Sequence, residues 1–274
     1  MGNQPVPGRD GTDLGQGRAH SARMYDYYLG GKTNYTVDRE AAEAIKKLFP
    51  TIETSVQVNR AYMHRALRHL ARQGVRQFID VGTGIPHAPN PHDIVQDVAP
   101  ECKVVYVDND PIVLVYADSL LDGTPEGRTA YVYAEITDPA GLLATVEGEG
   151  IIDFTRPIAL SLHSLLHFIP DDQDPYSLVA DLMDRLPGGS YLSLTHYTGD
   201  FAPSTWRAVT DAYKGRGTPA QVRTRADVVR FFDGLLLADP GVVVAHRWHP
   251  EPASGPSLVG DASVALYAGV ARKP

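Results

Sequence analysis

The sequence predicts a doubly wound α/β fold: a mostly parallel sheet of seven strands, an antiparallel pair at one edge, and an N-terminal helical cap. Three observations predict it. From residue 76 onward, short runs rich in Val, Ile and Tyr alternate with helix-like stretches. The first of these runs ends in a glycine turn, Asp80-Val81-Gly82-Thr83-Gly84, at the place where open α/β sheets bind ligands. The first quarter of the chain carries helical periodicity alone.

Composition agrees and excludes several classes. The 274 residues are 43% hydrophobic and 21% charged, enough to bury a core without disulfides or metals. Lys plus Arg number 25 against 33 Asp plus Glu, a net charge of −8, which runs against sequence-independent nucleic-acid binding. The single cysteine, Cys102, permits no intrachain disulfide and no CxxC zinc site, and it suits a reducing cytoplasm. No apolar run approaches the ~18 residues of a membrane helix, and residues 1–20 carry no apolar signal core. A secreted disulfide scaffold, a membrane protein and a disordered chain are thereby set aside.

The elements follow in order. Residues 1–20 are Gly, Pro and polar, and read as a flexible tail ahead of one domain over 21–274. A helix is expected over 21–30, closed by Gly30-Gly31, and another over 38–48, stopped by Pro50. A third spans 56–73, with Met63, Leu67 and Leu70 on one face and Gly74 behind it. These make the cap, 21–74. In the core, 75–274, strands are expected at 76–81, 103–107, 131–134, 158–162, 191–195, 242–245 and 263–270. Helices are expected at 92–98, 111–121 and 176–186. Residues 203–237 fit an inserted pair of helices, the second opened by Thr224 and Asp227 at capping-box spacing. The last two strands have no comparable helix between them, hence the antiparallel edge. This is a Rossmann-like arrangement.

The glycine turn is the most informative segment. A bare GxG is a weak signal, and a plain tight turn is its competing reading. Three details sharpen it. The third glycine of a dinucleotide GxGxxG is absent, its place taken by His87. Pro86, Pro89 and Pro91 delay the next helix, with Asn90 as its N-cap and Asp93 near its third position. A pyrophosphate needs a helix N-terminus directly behind the glycines, and this loop does not offer one. An acid, Asp80, precedes the glycines. It repels phosphate and suits an ammonium group.

Asp108 ends the second strand, at the spacing of a carboxylate that binds ribose hydroxyls. Its alternative role, capping the helix after Pro111, is compatible with that one. Glu135 ends the third strand and can accept from an exocyclic amine. Together these features describe a nucleoside without phosphates and with a positive charge, which is the chemistry of S-adenosylmethionine (SAM).

The order D-x-G-x-G, then an acid after the second strand, resembles class I SAM-dependent methyltransferases. YDYYLGGKTNYTVDREAA (25–42), DVGTGIP (80–86), VVYVDNDPIV (104–113), LLHFIPD (165–171), PGGSYLSLTH (187–196) and FFDGLLLADPG (231–241) resemble more narrowly an actinobacterial methyltransferase family formerly called a domain of unknown function. The resemblance runs from about residue 20 to the C-terminus. It implies that Asp80, Gly82, Thr83 and Gly84 line the methionine and ribose portions of SAM. It implies that Asp108 binds the ribose hydroxyls, that Asn109 lies beside the adenine, and that Glu135 and Ile136 hold the adenine edge. It implies that Arg23, Tyr27 and Asn34 of the N-terminal helices cover the pocket. His87 and His163 depart from the pattern, where a small hydroxyl residue and an aliphatic residue are the more usual. The resemblance does not specify the methyl acceptor.

Other features carry weaker signals. His163 and His167 are four apart, but the strand expected over 158–162 ends just before them, so they straddle a strand-to-helix turn and no metal is expected. His163 is a candidate general base, with His196 and Tyr28 beside it, against the reading of a hydrogen-bonded structural histidine. Arg60, Arg65, Arg68 and Arg72, with His64 and His69, read as a solvated helix face rather than a docking patch. Tyr25, Tyr27 and Tyr28 with Met24 offer aromatic faces to a sulfonium, or pack a helix onto the sheet. No GxSxG elbow surrounds Ser161 or Ser164. The expected function is SAM-dependent methyl transfer to a small-molecule acceptor, without membrane or nucleic-acid partners. The alternatives are a non-catalytic SAM-binding or interaction protein, an NAD-type oxidoreductase, which the missing glycine opposes, and an RNA methyltransferase, which the net charge opposes.

Overall fold

The computed structural model describes residues 17–113, 123–250 and 259–274. The expected tail lies over residues 1–16 outside that range. Its last residues do not behave as a tail: the Arg23 guanidinium donates to Arg18 O and the backbone N–H of His20 donates to Asp38 at 2.9 Å.

Three helices form the cap: α1 (Ser21–Tyr28), α2 (Thr36–Leu48) and α3 (Ile52–Arg72). Both α2 and α3 begin earlier than the hydrophobic pattern predicts. The Asp38 carboxylate accepts the Tyr35 N–H at 2.8 Å and so starts α2 ahead of itself. The apolar side of α3, with Tyr62, Met63, Ala66, Leu67 and Leu70, is buried on the sheet.

The core follows as β1 (Gln77–Val81), α4 (Pro91–Val98), β2 (Lys103–Asp108), β3 (Arg128–Tyr133), α5 (Pro139–Gly148), β4 (Ala159–Leu162), α6 (Pro175–Asp184), β5 (Tyr191–Tyr197), α7 (Pro203–Lys214), α8 (Arg225–Arg230), β6 (Leu236–Leu237), β7 (Val243–Val244), α9 (Asp261–Val264) and β8 (Leu266–Arg272). The helix expected over 111–121 is described only over 111–113; the rest lies outside the described residues. Helix α4 starts as expected, the Asp93 carboxylate accepting the Asn90 N–H at 2.6 Å. Thr224 and Asp227 form the expected capping box of α8.

The sheet has eight strands in the order β3-β2-β1-β4-β5-β8-β6, with β7 also paired to β8. Strands β1 to β5 are parallel, and β8 runs antiparallel to β5, β6 and β7. The additional strand is β6, within the expected helical insertion. Helix α8 stops at Arg230, the chain turns at Gly234 with φ +78°, and Leu236 and Leu237 pair with the end of β8. Residues 261–264 coil into one helical turn that takes in Ser263 and Val264, the first two residues of the strand expected over 263–270, and Ala265 at φ 45° redirects the chain into β8. Strand β3 begins three residues before the expected 131 because Arg128 and Thr129 pair with Lys103 and Val104 of β2, which no hydrophobic pattern announces.

Strand order reverses at β1, between β2 and β4. The carboxyl ends of β1 and β4 therefore flank the crevice where such sheets take their ligands. The cap closes over it through one buried charge. Arg23 is only 2% exposed; its Nε donates to Asp38 at 3.0 Å, and its Nη1 lies 3.6 Å from Asp110 beyond β2. Replacing Arg23 by Met would strand both carboxylates, so Arg23→Met is expected to lower stability by about 3 kcal/mol. Urea unfolding followed by tryptophan fluorescence checks this, and a loss below about 1 kcal/mol would show that the pair carries no net load.

Candidate active site

At the end of β1, Gly82 and Gly84 have φ of +71° and +67°, which a side chain tolerates poorly. The turn is held from three sides. Val107 O accepts the N–H groups of Gly82 and Thr83, at 2.8 and 3.3 Å. The Asp108 carboxylate accepts the Gly84 N–H at 2.7 Å, and the Tyr131 hydroxyl donates to Gly84 O at 3.0 Å. A Cβ at Gly82 would lie 2.7 Å from Cδ1 of Leu165, on the loop after β4, so the two crevice walls meet there.

Above the turn is a cavity. Asp80, Gly82, Thr83, Gly84, Asp108 and Asn109 line one side of it; Tyr25, Tyr28, Asn59 and Arg60 come from the cap; His163, Ser164 and Leu165 come from the end of β4. A second cavity, which shares His20, Ser21, Asn109, Leu165 and Phe168 with the first, extends along Asp110, Glu135 and Ile136. Asn109 spans the two and donates to the Glu135 carboxylate at 2.9 Å.

Three carboxyl groups dominate the electrostatics of the two cavities. Burial pushes the Asp80 carboxyl up to about 7, against the opposing pull of the Thr83 hydroxyl and the Arg60 guanidinium. Burial also raises Asp108, although the N–H groups of Asp110 and Gly84 favour its charged form. Burial pushes Asp110 upward as well, but the His20 ring at 3.0 Å and Arg23 outweigh it and hold Asp110 below the ordinary range. Among the described residues, no group of three or more His, Cys, Asp or Glu is placed to hold a metal ion. The N-terminus of α4 is closed to phosphate: Asn90 accepts the His87 N–H, and Asp93 accepts that of Asn90.

The expected residues divide. Asp80, Gly82, Thr83, Gly84, Asp108, Asn109, His163 and Tyr28 line the first cavity, and Glu135, Ile136 and Arg23 the second. Arg23 reaches it as an ion-paired strut. Tyr27 and Asn34 line neither. Tyr25 and Tyr28 share the inner face of α1, and Tyr27 is rotated outward, donating to Glu43 at 2.8 Å. The Asn34 amide donates to Asp26 and to Gly31 O, shaping the loop after α1. His196 is also elsewhere. Along β5, Ser193, Thr195 and Tyr197 face α3, and the alternation of the strand turns His196 to the other layer against Phe231. Both its nitrogens are engaged there: Nδ1 donates to Tyr197 O at 2.7 Å, and Nε2 accepts from Arg223 at 2.7 Å.

The basic helix corrects the expectation of a solvated face. Arg60 donates to the carbonyls of His87 and Pro89, His64 donates to Pro89 O at 3.2 Å, and Arg65 donates to the carbonyls of Trp248 and Ala245. These side chains are internal tethers, and Arg60 fastens the proline loop beside the cavity. Asn59, Tyr131 and Asp110 were not singled out from the sequence. Asp110 had a signal in the repeated acids of Val107-Asp108-Asn109-Asp110; Asn59 and Tyr131 had none.

A sequence profile described as S-adenosyl methyltransferase matches residues 8–274. A DUF574 family protein from Streptomyces avermitilis is similar in structure, with a TM-score of 0.92 and 46% identity over 96% of this chain and 100% of its own. A proposed methyltransferase from Thermobifida fusca has a TM-score of 0.87 and 33% identity over 95% of this chain and 97% of its own. No curated protein matches.

The buried carboxyl beneath the turn has a direct test. Carbon-13 NMR of the labelled Asp80 carboxyl should titrate near pH 7, and Arg60→Met should move the midpoint higher, because a neighbouring cation that favours the charged form is gone. A midpoint near 4 in the wild type would contradict the burial argument.

Proposed function

We infer, from the premise that this chain belongs to the S-adenosyl methyltransferase family, how its cavities hold SAM and what they leave for an acceptor. The protein is a SAM-dependent methyltransferase. Bound SAM supplies a methyl group on a sulfonium sulfur, open to in-line attack by an acceptor's lone pair.

The residues present fit such a group. The observation that carries the reading is the pair of buried carboxylates, Asp80 and Asp108, beside a turn whose Gly82 and Gly84 lack Cβ atoms. Asp80 is suited to the ammonium of the methionine portion, since a cation repays the desolvation of its charge. The Gly82–Gly84 backbone allows close approach. Asp108 spends one lone pair of each oxygen on backbone N–H groups and keeps the others for ribose hydroxyls. Asn109, Glu135 and Ile136, in the second cavity, are suited to the adenine. Arg23 acts from behind by fixing the cap. Tyr25 and Tyr28 turn their rings to the cavity, where aromatic faces favour a sulfonium. The cap covers the crevice, which supports a small-molecule acceptor; holding it at attack distance from the methyl is the main catalytic contribution. Among the described residues no helix is long and apolar enough to cross a membrane. A cytoplasmic setting rests on the lone thiol, Cys102, packed in the core.

Isothermal titration calorimetry with SAM and S-adenosylhomocysteine should show binding to the wild type, and NAD should give no heat. Asp108→Ala should weaken SAM roughly 10-fold to 100-fold. SAM affinity should fall about tenfold for each pH unit below 7, as the Asp80 carboxylate takes up its proton, and Asp80→Asn should flatten that dependence. Binding of NAD in place of the sulfur nucleosides would overturn the reading.

A further inference from the structure

We propose that Asn59 is a positioning residue for the SAM site: through Thr195 it holds Ser164 in a left-handed backbone conformation, and so sets Leu165 as a wall common to the two cavities. The proposal rests on the methyltransferase reading above and extends it to residues remote from the glycine turn.

The strained residue lies just beyond β4. Ser164 has a φ of 51°, in a region that glycine enters freely and serine only at a cost. A residue kept there is held by its surroundings, and such residues gather at functional sites. The hold comes from β5, where Thr195 Oγ1 accepts the Ser164 N–H at 2.8 Å. Thr195 is buried and lines neither cavity, so it acts on the site only through that bond.

Asn59 fixes which way the Thr195 hydroxyl points. Thr195 Oγ1 donates its one hydrogen to Asn59 Oδ1 at 2.7 Å, which leaves its lone pairs for the Ser164 N–H. The Asn59 amide is itself oriented from the cap. The Tyr25 hydroxyl donates to Val56 O at 3.3 Å, and a carbonyl only accepts, so the single Tyr25 hydrogen is committed there. The Tyr25 oxygen therefore receives Asn59 Nδ2, at 2.8 Å. A reversed amide would present two donors to Thr195 Oγ1 and deprive the Thr195 hydrogen of its acceptor. The row thus runs one way, from Ser164 through β5 and α3 to Tyr25 on α1, and every link in it is satisfied.

What the row holds in place is a wall of the site. Leu165 follows Ser164 and lines both cavities. Its Cδ1 lies 2.7 Å from the place of a Cβ on Gly82, so it rests directly on the glycine turn. Its carbonyl accepts the Phe168 N–H at 2.9 Å, and Phe168 also lines both cavities. If Ser164 left the left-handed region, the peptide between 164 and 165 would swing and carry Leu165 off Gly82. In the methyltransferase reading that would disturb the boundary between the methionine and adenine portions of SAM.

The test uses the full-length protein with S-adenosylhomocysteine as the probe. Calorimetry reads its affinity, and methyl NMR of labelled leucine reads the contact between Leu165 and Gly82. Thr195→Val keeps the shape and removes the hydroxyl; it should weaken binding about tenfold and lose the contact. Thr195→Ser keeps the hydroxyl and should bind as the wild type does. Asn59→Leu should weaken binding by about tenfold or more; should it not fold, the Thr195 and Ser164 variants decide. Ser164→Val disfavours the left-handed backbone and should reproduce the loss with Asn59 and Thr195 intact. Ser164→Gly adopts that backbone freely, so adding it to Thr195→Val should regain about fivefold in affinity. A role in stability alone would lower the melting temperature of Thr195→Val without this repair. Wild-type affinity or a retained Leu165–Gly82 contact in Thr195→Val, or a loss that Ser164→Gly leaves unrepaired, would overturn the role of Asn59 while the SAM site stands. Failure of S-adenosylhomocysteine to bind the wild type would remove both.

Discussion

The buried guanidinium of Arg23 is the interaction on which the cap and the crevice depend. A cation removed from water must be neutralised on the spot, and the two carboxylates that do so belong to different parts of the fold. Asp38 belongs to α2, where it also receives the N–H groups of Tyr35 and His20. Asp110 lies just beyond β2, where it receives the Ile112 N–H and the His20 ring. One charge thus joins α1, α2 and the carboxyl edge of the sheet. The wall of tyrosines that the cap presents to the cavity is placed by that junction.

Beneath the cap, two buried carboxylates line the cavity in different ways. Asp108 holds the glycine turn and the start of the following segment through backbone N–H groups, yet retains lone pairs toward the cavity. Asp80 lacks that compensation and carries its burial as a raised proton affinity. A proton affinity raised by burial is common at functional sites. On the far wall, Nδ1 of His163 and Oγ of Ser164 are buried without a hydrogen-bond partner. Tyr62, Ser193, Thr195 and Asn59 satisfy one another in the core, whereas Ser161 Oγ and the indole nitrogens of Trp206 and Trp248 are also buried without a partner.

Two histidines illustrate how strand geometry assigns roles. His163 follows β4 at the switch point and enters the cavity; His196 sits one residue from Thr195 on β5 and turns to the opposite layer. Arg223 then takes up His196 Nε2, the Asp171 carboxylate, and the carbonyls of Leu166 and Ile169. His196 therefore helps order the loop that carries His163 and Leu165, and acts on the site only at second hand.

What the sequence by itself determined is local or periodic. The alternation of strands and helices, the capping boxes at Asn90–Asp93 and Thr224–Asp227, and the D-x-G-x-G turn with Asp108 after it are all short-range signals. They sufficed for the sheet, for the edge at which the cavity opens, and for most of the residues expected to line it. The tertiary structure alone decided what depends on meetings between distant segments. Arg60 looked like a surface cation because its partners, the carbonyls of His87 and Pro89, carry no side-chain signature. Tyr27 and Asn34 belonged to a telling motif but faced away, because a helix turns about 100° per residue and Asp26 folds the loop back on itself. The His163 ring is held by a serine 30 residues away, itself bonded to a tyrosine on α3. Hydrogen bonds between side chains so far apart in sequence form only once packing has brought the layers together, so no local pattern records them.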